Sequence, residues 1–427
     1  MYHHLINNIK PHYVMKKIFT LPVILLFYLS TITAQIDQVS VGASYSQQAY
    51  YSLSTGEVEV VDNEAWDIAF SAAGQQDAGI FFNESVSFMA APLQVFLADT
   101  EDWSLSITDT DVFTDDVTLH NPETNWTEGA MNTVKDETSP FDYGWGVYNP
   151  QTNIVEGTKI YVIKRRDGSF IKFHVDNLSG GIYSFRYANL DGSSESSFEI
   201  DKSSAIGALV HFSFDTEDEV DMPTDYDLIF QRYTTPLDAG DGSFIEYTVT
   251  GVLLAPDVQA VLVDGVDPSN VNESDYADQY LSLATTIGHD WKSFDFQSGW
   301  LIDEDRTHFI KTAVGDIYQI TFFDFEGSST GITTLEKTLI TSVSTSDAPW
   351  LDHSLTLYPN PTTEYFMIDI MTETPLQISI LDNSGRLLNV VETISNSPVS
   401  VSNLSPGIYN ISIHSSEFIT SSRLIIK

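Results

Sequence analysis

The feature that most constrains this chain is a block of strand pattern that occurs twice. "YYSLSTGEVEVVDNEAWDIAF" (50–70) lies over "HFSFDTEDEVDMPTDYDLIF" (211–230) with one gap. "WGVYNPQTNIVEGTKIYVIKRRDGSFIKFHV" (145–175) lies over "WKSFDFQSGWLIDEDRTHFIKTAVGDIYQITFF" (291–323), so that Trp145 pairs with Trp291, Lys164 with Lys311 and Gly168 with Gly315. The blocks keep their order. Each opens with an alternating run broken by a polar turn, followed by a short, mostly apolar strand, which is a hairpin signal. In the first block Asp167-Gly168 supplies a second, tight turn between strands. The predicted fold is therefore all-β: two tandem antiparallel domains over 35–204 and 205–343, the second divergent.

Between the blocks the halves differ. "NESDYADQYLSLATTIGHDW" (272–291) reads as a helix, with Ser274 as N-cap, apolar residues at Tyr276, Tyr280, Leu283 and Ile287, and Gly288 as its stop. The matching place in the first half, "NPETNWTEGAMNTVKDETSP", reads as loop with one helical turn.

The ends read as addresses. Lys16 and Lys17 precede the apolar stretch Ile18–Tyr28 and a small-residue "TITA", the pattern of a secretory signal ending near Ala34. The run is short and broken by Pro22, so no permanent membrane span is expected. A polar linker, 344–350, leads to residues 351–427, whose short strands at regular turn spacing suit a small sandwich.

With 19 Lys and Arg against 60 Asp and Glu, the formal net charge is −41, which repels phosphate backbones and excludes nucleic acid as a partner. The chain has no Cys, which removes disulfides, thiolate metal sites and Cys nucleophiles. No nucleophile elbow, zinc-protease helix, P-loop or dinucleotide fingerprint occurs. Acidic turns such as "DTDVFTDD" (109–116) lack the spacing of a calcium loop. These absences point away from an enzyme.

Two resemblances add to this. The motifs "YPNP" (Tyr358, Pro359, Asn360, Pro361), "LDNSGR" with Gly385 and Arg386, and "LSPGIYNISI" with Gly407 and Tyr409, followed by the basic end "RLIIK", resemble the C-terminal sorting domain of type IX secretion substrates. That resemblance implies recognition of 351–427 by the type IX translocon, and a secreted or outer-surface location. The "WDIAF" strand after its hairpin, "GWGVYN" before "KIYVIKRRDGSFIKFHV", and "YSFRYANLDG" resemble the HmuY-like haem-binding family. This implies a non-catalytic surface protein that captures haem, free or from a haemoprotein, between His or Met ligands on loops. In the first half the corresponding interval holds His120, Met89 and Met131, and in the second only His289. Neither half offers a His pair. A His–Met or Met–Met pair is open to the first, and the second would need its neighbour. Each residue also has a structural reading: His120 as a polar loop residue, Met131 and Met89 as core, His289 as a helix cap. His174, His211 and His308 fall on strands and read as sheet residues. The alternative function is a structural or adhesive surface protein with the same scaffold and no haem ligands.

Overall fold

The computed structural model describes residues 34–341 apart from 73, 75, 76 and 206, and 356–427 apart from 370–375, 382–386 and 415–418. The signal segment, the linker 344–350, Gly385 and Arg386 lie outside the described residues. The chain is all-β, as its pattern predicts. Among the described residues no helix is long and apolar enough to cross a membrane.

The first half gives β1 (Gln35–Ser40), β2 (Gln47–Tyr51), β3 (Val58–Asp62), β4 (Ile68–Ser71), β5 (Ile80–Phe82), β6 (Gln94–Leu97), β7 (Gly146–Asn149), β8 (Ile154–Gly157), β9 (Ile160–Lys164), β10 (Phe170–Ser179) and β11 (Ile182–Asn189). It ends with β12 (Ser196–Asp201), and the second half gives β13 (Leu209–Ser213), β14 (Asp218–Val220), β15 (Leu228–Asp238), β16 (Phe244–Leu254), β17 (Gln259–Asp264), β18 (Lys292–Asp295), β19 (Gly299–Ile302), β20 (Arg306–Lys311), β21 (Ile317–Phe325) and β22 (Ile332–Thr341). The turns between β9 and β10 and between β20 and β21 place Gly168 and Gly315 at φ of +83° and +96°, which is why glycine stands at both.

The two halves do not close on themselves. The opening hairpin of each pairs with the "WDIAF"-type strand of the other: β2 with β15, and β13 with β4. The registers correspond position by position. Tyr51 faces Leu228 and Tyr50 faces Ile229, while Phe212 faces Ile68 and His211 faces Ala69. Strand β1 likewise completes the sheet β1-β22-β21-β20-β17, whereas β12 stays in its own half and extends β11-β10, with β9 and β6 beyond. The division expected at 204/205 is therefore not where the sheets divide. One core holds residues from Ile68 to Phe214, and a second joins Val39–Leu53 to Leu228–Leu335. Trp145 and Trp291 are fully buried, one in each core, as their matched sequence positions require.

The helix expected after Ser274 does not form. Only 3-10 turns occur, at Pro268–Asn270 and Glu273–Asp275, the second capped by Asn272 rather than Ser274. Beyond them several backbone donors go to distant segments: Leu281 exchanges hydrogen bonds with Ala260, Ala284 donates to Thr124 at 2.9 Å, and Gly288 donates to Val252 at 3.1 Å. Tyr276 and Tyr280 keep their helical spacing but lie against the sheet around Phe309.

The C-terminal region forms a three-stranded and a four-stranded sheet around Phe366, Ile368, Ile378, Ile380, Ile411 and Leu424. The "YPNP" turn holds the last strand: Asn360 Oδ1 accepts from the Ile425 N–H at 2.9 Å, and Thr362 N–H donates to the Ile425 carbonyl at 2.9 Å. Tyr358 donates to Asn396 at 2.6 Å and Tyr409 to the Ser405 carbonyl at 2.7 Å.

Candidate functional site

The exchanged hairpins bring matched residues from both halves to one place. His211 on β13 meets the edge of Trp66 with ring centroids 4.7 Å apart, and Tyr50 on β2 meets Tyr226 in the same way at 4.9 Å. In the sequence repeat His211 stands over Tyr50, and Trp66 over Tyr226. Phe81 on β5 and Leu253 on β16 also occupy matching register positions, opposite Ala69 and Ile229. These side chains, with Trp126 and Tyr233, line a narrow cleft between the two cores, with a cavity volume of about 80 Å³. The segment after His120 crosses from one unit to the other, with Trp126 Nε1 donating to the Leu254 carbonyl at 2.8 Å. Polar groups in the lining include Glu84, Asn121, Glu123 and Arg232. A more open groove joins the cleft at Leu209, His211, Met222, Pro223 and Tyr226.

His211 is 9 % exposed, and burial pushes its pKa down to about 3, so the ring is neutral at pH 7. Among the described residues neither of its ring nitrogens has a hydrogen-bond partner. Tyr50, its counterpart, uses its hydroxyl internally, donating to Gln48 Oε1 at 3.0 Å. Trp66 Nε1 donates to the same oxygen at 3.2 Å, which fixes the indole against which His211 packs. Burial raises the Glu123 carboxyl above its usual range, while the Thr235 side chain opposes the shift.

The four residues singled out from the sequence fall elsewhere. None of them lines the cleft. His120 Nδ1 lies 2.9 Å from Glu84 Oε1, and so positions an acid that does line it. His289 lies 3.5 Å from the hydroxyl of Tyr233, another lining residue, and burial followed by the Lys292 charge lowers its pKa. It follows no helix, so the cap reading lapses. Met131 is 1 % exposed inside the first core, where its carbonyl accepts from Tyr161 at 2.8 Å. Met89 is 87 % exposed on a turn, at a φ of +69°. Thus His120 and His289 reach the rim of one cleft from opposite halves, and the two methionines join neither. Sequence reasoning passed over His211 because alternating strand residues read as sheet. The signal was its place over Tyr50 in an otherwise matched aromatic hairpin.

Residues 44–187 match the model of the HmuY protein family, and residues 356–427 that of the secretion system C-terminal sorting domain. The HmuY match begins just before β2, so it includes a hairpin that hydrogen-bonds to the other unit. No curated protein matches the chain. Among solved structures, apo PinO from Porphyromonas gingivitis aligns over 73 % of this chain and 100 % of its own at 9 % identity, with a TM-score of 0.23, too low to support a fold assignment.

Proposed function

We propose that this chain is a secreted or surface-displayed, non-catalytic binding protein with haem or a related porphyrin as its ligand, exported through recognition of its C-terminal domain by the type IX machinery. The observation that carries this reading is the HmuY match over 44–187, a segment that supplies Tyr50, Trp66, Phe81 and Trp126 to an aromatic cleft. Cofactor sites are usually about 300–1,000 Å³ and mostly apolar with a few placed polar groups; the cleft has the lining but only about 80 Å³ of volume, so on this reading it opens to admit a ligand. Bound haem would supply a metal centre that takes imidazole or thioether as axial ligand. Met131 is packed too deeply to serve. His120 has Nδ1 held by Glu84, which leaves Nε2 as the nitrogen that could ligate, but it does not line the cleft. The cleft supplies aromatic walls and a neutral imidazole but, closed as it is, not the room for a porphyrin.

Haemin titrated into the full chain tests the reading: a saturable Soret shift at micromolar haemin is expected, and an unshifted spectrum refutes it. Export is tested by the termini of the secreted protein. It should begin near Gln35 and lack 351–427.

The adhesive reading keeps one observation in its favour. Phe244 and Tyr247 near the β15–β16 tip and Phe296 between β18 and β19 present exposed aromatic surface, Phe296 at 97 %. Binding of the chain to a surface that is lost on replacing these three by Ser, with the Soret response intact, would assign the tips to adhesion.

A further inference from the structure

We infer that the porphyrin seat of this chain is a second groove, lined by Phe141, Tyr143 and Tyr148, where Lys202 meets a porphyrin carboxylate and ring contacts hold the macrocycle without a bond from the protein to iron. The inference rests on the porphyrin reading above and moves the ligand out of the narrow cleft.

Room comes first. This groove has a cavity volume of about 920 Å³, within the usual range of cofactor sites, where the cleft has about 80 Å³. Its floor is apolar: Leu178 on β10 and Val155 on β8 stand opposite each other in the register, and both are buried. Its wall is aromatic. Phe141 and Tyr148 lie side by side with ring centroids 6.1 Å apart and planes 31° apart. The Tyr148 N–H donates to the Phe141 carbonyl at 2.7 Å, and the Tyr148 hydroxyl donates to Asn153 Oδ1 at 2.9 Å, which fixes the pair. Phe141 is 45 % exposed, so its ring is open to a flat aromatic ligand.

Charge names the ligand class. Glu84 and Glu123 line the cleft, and Glu219, Asp221 and Asp257 line the groove that joins it at His211. Among the described residues no acid lines the Phe141 groove, and Lys202 is its one charged side chain. Lys202 is buried, and among the described residues no carboxylate pairs with it. Its Nζ donates to the Asp77 carbonyl at 2.7 Å, which uses one of three donors. Lys172 and Lys292, also buried, each donate to two carbonyls. The Asp77 charge acts on Lys202 from outside the lining. An ammonium with donors to spare, in an acid-free groove of a chain with net charge −41, is complementary to a carboxylate.

The same lining leaves iron unligated. Among the described residues neither His nor Met lines the groove, so it supplies neither imidazole nor thioether. Tyr148 commits its hydroxyl to Asn153, and burial raises the pKa of Tyr143, which opposes the phenolate that iron would take.

The test titrates haemin, metal-free protoporphyrin and protoporphyrin dimethyl ester into the full chain, reading Soret absorbance and porphyrin fluorescence. Haemin and protoporphyrin should bind equally well, and the ester about tenfold more weakly for want of the charge-assisted hydrogen bond. Lys202→Met should weaken both acids to the level of the ester and leave the ester unchanged, while Lys202→Arg should keep wild-type affinity. Phe141→Ala combined with Tyr148→Ala should weaken all three, with the far-ultraviolet dichroism intact. His211→Ala should alter none. Binding of haemin without protoporphyrin means that iron ligation governs, which overturns the inference and leaves the haem reading standing. Loss of binding in His211→Ala, with the groove variants unaffected, places the ligand in the cleft and has the same consequence. Equal loss of acid and ester in Lys202→Met makes Lys202 a packing residue and overturns its role. Binding of neither haemin nor protoporphyrin refutes the haem reading and the groove with it.

Discussion

Asp67 Oδ2 accepts the backbone N–H of Phe214 at 2.7 Å, joining the "WDIAF" strand of one half to the hairpin of the other. Asp227 and Leu53 repeat the contact at 2.8 Å. In both, the Asp backbone N–H donates at 2.9 Å to the residue two before that partner, Phe212 and Tyr51 respectively. The motif Asp is thus the clasp of the strand exchange, which gives the repeated aromatic–Asp–apolar pattern a mechanical meaning.

The two clasps differ in charge. Asp67 is buried and paired with Arg166, which also donates to the carbonyls of Asn63 and Trp66. Among the described residues no guanidinium pairs with Asp227, and burial raises its pKa against the opposing Leu53 N–H and Lys337 charge. Asp67→Asn should therefore cost about 3–5 kcal/mol, because it strands a buried guanidinium. Asp227→Asn keeps an oxygen for the Leu53 N–H and should cost no more than about 1 kcal/mol. Denaturant unfolding of the two variants checks the asymmetry. Equal losses would refute it.

The exchange also predicts how fragments behave. Residues 35–204 carry β1–β3 without their partners β15 and β22, and residues 205–341 lack β1–β2 and β4. Each alone exposes unpaired strand edges and half a core. Expressed singly, neither should show a cooperative unfolding transition. Expressed together, they should co-purify and recover one. A fragment that folds alone as a monomer would show that the exchange is dispensable.

The all-β class and the hairpin order were legible because alternation and Asp-Gly turns are local signals. The exchange was not. Tyr51 and Phe212 are both aromatic, and Ile68 and Leu228 both aliphatic, so either hairpin satisfies either strand by side-chain type. Only long-range geometry decides which one pairs. The misread helix at 274–287 has the same cause: Tyr276, Tyr280 and Ile287 carry the right period, but β16, β17 and the Thr124 segment claim the backbone. Of the site, the aromatic richness was legible. His211 was hidden by a strand position that says nothing about the cleft on its far side.

Met131 separates packing from ligation. It sits in the core with Trp145 and Tyr161. Met131→Ala should lower stability by about 2–5 kcal/mol, the range for buried Met truncation. At a temperature where the variant is folded, its haemin spectrum should match wild type. A lost Soret shift with unchanged stability would restore Met131 as a ligand.

Lys292 sets an alkaline signature. Its ammonium lies among Trp291, Trp300 and Phe325 and donates to the Thr250 carbonyl at 2.6 Å, and burial pushes its pKa down to about 7 from 10.5. Between these values the unfolded chain holds a proton that the folded chain has released. Stability should therefore rise as pH increases from 7 toward 10.5. In Lys292→Met that part of the rise should vanish. Melting temperatures of both proteins across the window measure it, and parallel curves would show that the folded lysine keeps an ordinary pKa.

His308 gives the acid counterpart. It is fully buried on β20 beside Phe322, both its nitrogens lack partners among the described residues, and burial lowers its pKa to about 3 from 6.5. In this window the unfolded state binds the extra proton, so stability present above pH 6.5 is lost as pH falls toward 3. At about 1.4 kcal/mol per pKa unit, the loss amounts to several kcal/mol. His211 titrates in the same sense, so wild type carries two such terms and His308→Leu only one. The variant should be the less acid-sensitive by urea unfolding at pH 4 against pH 7. Adding His211→Leu should flatten the response further. An acid response unchanged by both substitutions would assign it to the carboxylates instead.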